Sequence, residues 1–215
     1  MNDQVLPYSY IVIEGNIGAG KTSLAEIISN KFNTQLVLES FAENTFLPQF
    51  YEQPERFAFP LEMSFLAERF QQIKQEQVKA LANNQKLVGD YIFEKSLLFA
   101  SVTLKGAEFE LFERFYNLIT SGLNKPELIL YLHKSTPRLK ENIAKRGREY
   151  EQNISEEYLD NLSKTYLEHL QKTKNQRIII LNSDNIDFVN DPVDLMKIIE
   201  LICSPLENTI YQLDL

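Results

Sequence analysis

Residues Gly15 to Thr22 read Gly-Asn-Ile-Gly-Ala-Gly-Lys-Thr and follow the pattern G-x-x-x-x-G-K-[ST] without exception. Such a run turns consecutive backbone N–H groups inward, and the helix that follows adds the positive end of its dipole. Together they form a cradle for phosphate. Gly15, Asn16, Ile17, Gly18, Ala19, Gly20, Lys21, Thr22 and Ser23 are all expected to bind the nucleotide. Lys21 is placed to reach the outer phosphates, and Thr22 to ligate magnesium. The chemistry implied is nucleotide binding with phosphoryl transfer. A guanine-reading GTPase does not fit, because the nearest match to Asn-Lys-x-Asp is Asn124-Lys125-Pro126-Glu127, which precedes its strand and ends in the wrong acid.

A second concentration of chemistry lies between Arg138 and Glu151. It holds Arg138, Lys140, Lys145, Arg146 and Arg148, in a chain with 22 basic and 30 acidic residues and a formal charge of -8. Positive charge held against the transferring phosphoryl group is what such a reaction gains from most. Gly147, between Arg146 and Arg148, suits a mobile turn, so residues from about 142 to 153 are expected to form a lid.

The elements that must position these groups follow from the pattern of apolar residues. Tyr8–Glu14, Glu127–His133 and Arg177–Asn182 are nearly continuous apolar runs, as expected of parallel strands covered on both faces, and Gln35–Glu39 and Lys86–Asp90 are weaker ones. Helical periodicity marks Ala25–Phe32, Glu55–Leu81, Ser96–Leu104, Glu108–Leu118 and Tyr158–Leu170. Thr136-Pro137 and Asp191-Pro192 predict two more helix starts, each with a capping side chain before proline. The expectation is an α/β fold of the P-loop kinase type: a five-stranded parallel sheet wrapped by helices, with a small basic lid, in a single domain over residues 1–215.

The acidic balance argues against a nucleic-acid binder, since duplex affinity is supplied mainly by basic groups. The single cysteine, Cys203, cannot form an internal disulfide and reads as a buried residue of a C-terminal helix. No run approaches the length needed to cross a bilayer, and residues 1–8 lack the features of a secretory signal, so a cytoplasmic protein without membrane association is expected.

Three blocks then occur in order: the loop Gly15 to Ser23, the segment Tyr51-Glu-Gln-Pro54-Glu-Arg-Phe57-Ala-Phe-Pro60-Leu61-Glu62, and Arg146-Gly-Arg148-Glu-Tyr-Glu151. In these the chain resembles the deoxynucleoside kinases of the bacterial type, whose fold is like that of thymidylate kinase. The resemblance implies ATP with magnesium as donor, a deoxynucleoside as acceptor, and a homodimer formed through packed helices.

The resemblance also implies roles. Glu39 corresponds to the carboxylate that takes the proton from the 5′-hydroxyl, a task suited to a pKa brought toward neutrality. Tyr51 and Glu151 correspond to the pair that binds the sugar 3′-hydroxyl. Phe99 corresponds to an aromatic stacked on the base, and Leu61 lies beside Glu62 in the same pocket block. Glu62 stands where the family commonly has a base-reading glutamine, with Arg69 two helical turns on and on the same face. Arg146 and Arg148 correspond to lid arginines on the phosphates, and Asp187 and Phe188 to the segment that holds the ATP adenine. Lys21 and Arg148 then join Glu39 as the groups carrying the chemistry.

The chain departs from the family at two places. After the third strand the family has an acid followed by arginine and serine; here the sequence is Gly89-Asp90-Tyr91-Ile92-Phe93-Glu94-Lys95. Asp90 supplies the acid near magnesium beside Thr22, and the arginine is either replaced by Lys95 or absent altogether. Asn142 stands where relatives often carry a further lid arginine, with Lys145 nearby. An ionised Glu62 only accepts hydrogen bonds, which favours a base bearing an exocyclic amino group and so deoxyadenosine, then deoxycytidine. A nucleoside monophosphate kinase and a catalytically silent nucleotide-binding scaffold share the fold and are the alternatives. His133 and His169 read as structural.

Overall fold

A computed structural model describes residues 5–39 and 44–214. Three central strands, β1 (Tyr10–Gly15), β4 (Leu128–His133) and β5 (Arg177–Asn182), are flanked by β2 (Gln35–Val37), β3 (Leu87–Gly89) and β6 (Ile210–Asp214). All pair in parallel in the order β2-β3-β1-β4-β5-β6. The sheet thus has six strands, not five. The sixth escapes the sequence because its residues are half-buried or exposed at the edge, so it lacks the continuous apolar run of a covered strand.

Alternate residues feed two cores. Tyr10, Val12, Ile129, Tyr131, Ile178 and Ile180 face one layer of helices. Ile11, Ile13, Leu128, Leu130, Ile179 and Leu181 face the other. Between the strands run α1 (Lys21–Phe32), α2 (Phe46–Glu52), α3 (Pro54–Ala82), α4 (Lys95–Thr103), α5 (Ala107–Thr120), α6 (Thr136–Arg146), α7 (Glu156–Lys172) and α8 (Pro192–Cys203). A single 3-10 turn covers Glu149–Glu151.

Asp191 caps α8 by accepting from the Val193 N–H at 2.8 Å. Thr136 does not cap α6: the cap position is Ser135, one residue earlier, and the Thr136 hydroxyl donates to Asp160 instead. Pro137 therefore sits second in the helix. Cys203, the last residue of α8, is half-buried rather than buried. Because β1 lies between β3 and β4, chain excursions leave it in opposite directions, and the carboxyl ends of the strands open a crevice where open α/β sheets bind ligands. No described helix is long and apolar enough to cross a membrane.

Candidate active site

The loop after β1 is built as its motif requires. Gly18 and Gly20 hold φ of 84° and 96°, conformations open mainly to glycine, and a Cβ on Gly18 would meet the Leu139 carbonyl oxygen at 2.8 Å. A Cβ on Gly20 would lie 3.0 Å from the Phe188 ring, so the buried Phe188 forms the floor beneath the loop. The root of the loop is pinned by Glu14, a buried residue whose two oxygens accept from the Gly15 N–H and the Ile92 N–H, each at 2.9 Å. Burial pushes its carboxyl up despite nearby Lys95 and Lys21.

The loop residues do not all serve the cradle alike. Asn16 accepts from the Ile17 N–H at 2.7 Å through its side chain and donates to the Leu159 carbonyl at 2.8 Å, tying the loop to α7. Ile17 lies in the wall of the smaller cavity described below, together with Lys21 and Thr22 of the same loop. Ala19 borders the larger cavity described below. It is fully buried, its methyl group belongs to the core beneath α1, and its N–H donates to the Asn16 carbonyl at 3.1 Å. Ala19 therefore shapes the turn from below, with its N–H held to the Asn16 carbonyl. The reason is steric: the turn passes so close to Gly15 that a Cβ there would lie 2.9 Å from the Ala19 Cβ, so only a small side chain fits.

Lys21 Nζ also donates to the Asn16 carbonyl, at 3.0 Å, and burial, then the neighbouring Lys95, lower its pKa to about 8. Thr22 Oγ1 donates to Asp90 Oδ2 at 2.6 Å, while Asp90 Oδ1 accepts from the Glu39 N–H at 2.8 Å. A hydroxyl and a carboxylate beside a phosphate cradle are donors suited to a hard divalent cation such as magnesium. Among the described residues no three or more His, Cys, Asp or Glu side chains cluster as a metal cage. An ion there would rely on phosphate oxygens and water for its other ligands.

Two cavities meet at the loop. The first, about 90 Å³, has Glu39, Tyr51, Leu61, Glu62, Arg69 and Phe99 in its wall, together with Ile17, Lys21, Thr22 and Asp90. The second, about 750 Å³, is lined by residues 18–23, by Lys134, Arg138, Asn142 and Lys145, and by residues 184–190. Arg146 and Arg148 line both. The smaller volume is well below the roughly 300 Å³ at which small-molecule pockets begin, so a ligand of nucleoside size requires its wall to move.

Glu39 is the electrostatic centre of the first cavity. Arg69 donates to its Oε1 from Nε at 2.8 Å and from Nη2 at 2.5 Å, and Lys95 Nζ donates to its Oε2 at 2.6 Å. Lys95 thus brings a cation to Glu39 from the segment after Asp90, which lacks an arginine. Burial opposes ionisation of Glu39, but Lys95 and Arg69 outweigh it and hold the carboxyl well below the usual carboxylate range. The expected drift toward neutrality is reversed, because burial brought two cations with it.

Glu62 and Arg69 share the inner face of α3, 1% and 3% exposed. They form no direct pair. Arg69 turns to Glu39 and, through Nη1, to Ser96 Oγ at 2.9 Å. Glu62 Oε1 accepts from Thr103 Oγ1 at 2.9 Å, and its Oε2 is buried with no partner. Burial raises the Glu62 pKa to about 7, against the pull of Arg69, so it is not the fixed anion assumed from sequence.

Tyr51 comes from α2, and Glu151, 5% exposed, from the 3-10 turn. The Tyr51 ring stacks with Tyr150 at 6.2 Å between centroids. Glu151 accepts from Arg146 and, at 3.1 Å, from Arg148 Nη1. Phe99 turns its edge to Tyr166 at 6.3 Å and lines the cavity. Asn142 donates to the Gly18 carbonyl at 2.8 Å, bracing the loop, while Lys145 lines the larger cavity. Asp187 is exposed at that cavity's rim.

Residues 11–206, from β1 through α8, match the family model described as deoxynucleoside kinase. The chain belongs to the deoxynucleoside kinase family. Over 145 residues the kinase is 39% identical to a deoxyguanosine kinase of Bacillus subtilis (strain 168), an alignment covering 67% of this chain and 70% of that one. It is 24% identical to a deoxyadenosine/deoxycytidine kinase of the same strain over 203 residues, 91% and 92% of the two chains. A solved structure of deoxyadenosine kinase from M. mycoides with bound dATP superposes with a TM-score of 0.77 at 25% identity, covering 90% of this chain and 99% of that one. The family is one of phosphotransferases that act on a nucleoside hydroxyl with ATP as donor.

The kinase also uses residues that its sequence did not single out. Ser96 and Thr103 of α4 serve Arg69 and Glu62, and Tyr158 of α7 completes the first cavity. The signal was present, since Ser96, Phe99 and Thr103 recur at a spacing of three and four and so share a face of α4. Tyr158 carried no such mark.

Proposed function

We propose that this kinase transfers the γ-phosphoryl group of ATP to the 5′-hydroxyl of a purine deoxynucleoside, in the manner of a cytoplasmic salvage enzyme working as a single domain. The observation that carries this is Glu39, whose carboxylate faces the smaller cavity beside Lys21 and Thr22 of the phosphate loop. One wall of that cavity thus suits an acceptor hydroxyl, and the other suits phosphate.

In this reading the 5′-hydroxyl donates to Glu39, which stays ionised and receives the proton as transfer proceeds. A strongly basic carboxylate is not needed when the transition state is loose and catalysis rests on position and charge. Lys21, Arg146 and Arg148 lie against the phosphoryl oxygens, with residues 142–153 acting as the lid. Gly147, at φ of 73° with open space around its Cα, lets that segment swing. Glu151 then exchanges its arginines for the sugar 3′-hydroxyl beside Tyr51. Thr22 and Asp90 would hold magnesium, whose charge offsets that of the phosphates when it is bound. The loop Gly15 to Ser23 cradles the donor phosphates, with Ile17 on the acceptor side and Ala19 as its buried support. Asp187 and Phe188 border the donor's adenine.

The preference for deoxyadenosine drawn from sequence rests on an ionised Glu62. With the Glu62 pKa near 7, and with relatives named for both deoxyguanosine and deoxyadenosine, both purines belong in the proposal. Homodimer formation is supported by an apolar stripe of α5 (Leu111, Phe115, Leu118) with exposed Val78 and Leu81 on the adjoining α3. A monophosphate acceptor is less well served, because Arg69 and Lys95 are already committed to Glu39.

The test is transfer from labelled ATP with magnesium to each deoxynucleoside in turn, with Glu39→Gln alongside. Phosphorylation of a purine deoxynucleoside by the wild type alone is the expected result. Transfer to deoxynucleotides only, or to nothing, would refute the reading.

A further inference from the structure

The base end of the smaller cavity contains a carboxyl group arranged to exist in two protonation states. Glu62 Oε2 is buried, has no partner, and belongs to the cavity wall. Its other oxygen meets a hydroxyl that can reverse its role. Thr103 Oγ1 lies 2.9 Å from Glu62 Oε1 and 2.9 Å from the Phe99 carbonyl, yet it has one hydrogen. When Glu62 is ionised, Thr103 donates to it. When Glu62 is a carboxylic acid, Thr103 can donate to Phe99 and accept from the acid, so neither state leaves that oxygen stranded.

The surrounding charges are balanced in the same sense. Arg69 on the same helix and Lys95 of α4 favour the carboxylate, whereas Glu39 after β2 favours the acid. Tyr51 of α2 and Tyr158 of α7 face Glu62 as neutral phenols, their own ionisation suppressed first by burial. Glu151, Arg146 and Arg148 line the same cavity from the lid side. Among the described residues no cation lies within ion-pair distance of Glu62.

We infer that Glu62 is a proton-switched reader of the purine base, in which the carboxylate selects guanine and the carboxylic acid admits adenine. The inference rests on the proposed nucleoside-kinase reading of this cavity. Along its Watson–Crick edge guanine presents two adjacent donors, N1–H and the 2-amino group, which match two carboxylate oxygens. Adenine presents an amino donor beside the N1 acceptor, which a carboxylate opposes but a carboxylic acid matches once its one hydrogen is carried toward N1, with Thr103 again donating to Oε1; the acid pairs equally with O6 and N1–H of guanine, so it is the carboxylate that discriminates. A glutamine can supply only the second pattern without rearrangement of the base. The raised pKa of Glu62, due first to burial, sets the exchange near neutral pH.

The experiment is internal competition. Equal concentrations of deoxyguanosine and deoxyadenosine are offered with ATP and magnesium, and the ratio of the two monophosphates is measured from about pH 6 to about pH 8.5. Effects of pH on phosphoryl transfer itself cancel in that ratio, and neither base titrates between those limits. For the wild type the ratio should shift toward the guanine product by on the order of tenfold as pH rises, the size of one matched polar contact. In Glu62→Gln it should be flat. In Thr103→Val, which removes a donor to the carboxylate, the midpoint should move to higher pH, and this variant serves if the glutamine variant does not fold. A wild-type ratio that does not change with pH, or a glutamine variant that changes in parallel, overturns the inference while leaving the kinase reading intact. Phosphorylation of neither nucleoside at any pH would overturn both.

Discussion

Lys95 Nζ lies 2.6 Å from Glu39 Oε2, and it reaches there from the first residue of α4, five residues beyond Asp90. Glu39 is thus held between a lysine on one oxygen and Arg69 on the other, all three largely removed from water. Removing one partner of a buried ion pair leaves uncompensated charge and destabilises by on the order of 3 kcal/mol, here softened by the remaining Arg69. For Lys95→Met we expect kcat to fall about a hundredfold, as when one charge-stabilising donor is lost, with little change in KM for ATP. Steady-state kinetics with calorimetric melting checks both parts.

Glu39→Gln should lower kcat by roughly 10²- to 10⁴-fold, the range of a positioned general base. Because Lys95 and Arg69 keep Glu39 ionised below the usual carboxylate range, its titration should leave no acid limb near neutral pH. That is best read in the Glu62→Gln background, where kcat should stay level down to about pH 5. A limb centred near pH 6 or 7 in that background would contradict the observed grip on Glu39.

Stability should carry the opposite signature at Glu62. Its folded pKa, about 7, exceeds the ordinary 4.5, so the folded state binds a proton that the unfolded state releases. That contribution is fully present below the ordinary value and is lost as pH rises through about 7, about 3 kcal/mol in all. The melting temperature of Glu62→Gln relative to wild type should therefore climb between about pH 5 and about pH 8. A constant difference would mean that Glu62 does not titrate in that window.

Arg148→Ala should separate activity from folding. Its contact with Glu151 is partly solvent-exposed, and such pairs contribute about 0–1 kcal/mol. Loss of an arginine from the transferring phosphoryl, by contrast, is worth on the order of 10³ in kcat. Near-normal melting with a crippled turnover is the expected result.

Charging the apolar stripe of α5 tests association. Phe115→Asp together with Leu118→Asp should convert a dimer to a species of 25.0 kDa in sedimentation velocity. A wild type that already sediments as a monomer would remove the dimer from the proposal.

Most of the sheet was legible because a strand buried on both faces must be apolar along its covered length, as in residues 128–132 and 178–181. β6 was not, since Ile210–Asp214 covers an edge and alternates half-buried and exposed residues. In the site, the phosphate loop was readable because its glycines answer to backbone geometry that is local in sequence. Which way its other residues turn was not readable: the Ala19 methyl packs into the core and Ile17 lines the smaller cavity. The grip on Glu39 was only half readable: Arg69 and Lys95 come from separate helices, 30 and 56 residues away, and a carboxylate's pKa depends on who arrives beside it. The fixed charge assigned to Glu62 failed for the same reason. Its burial and its missing partner are properties of the packed molecule.

α4 begins at Lys95, which holds Glu39, and ends at Thr103, which holds Glu62. Eight helical steps span about 12 Å. In the proposed reading the helix therefore works as a gauge block, fixing at one end where the proton acceptor sits and at the other where the base is read. Inserting a single residue would rotate one end by about 100° against the other and leave the two ends of the substrate calibrated to different frames.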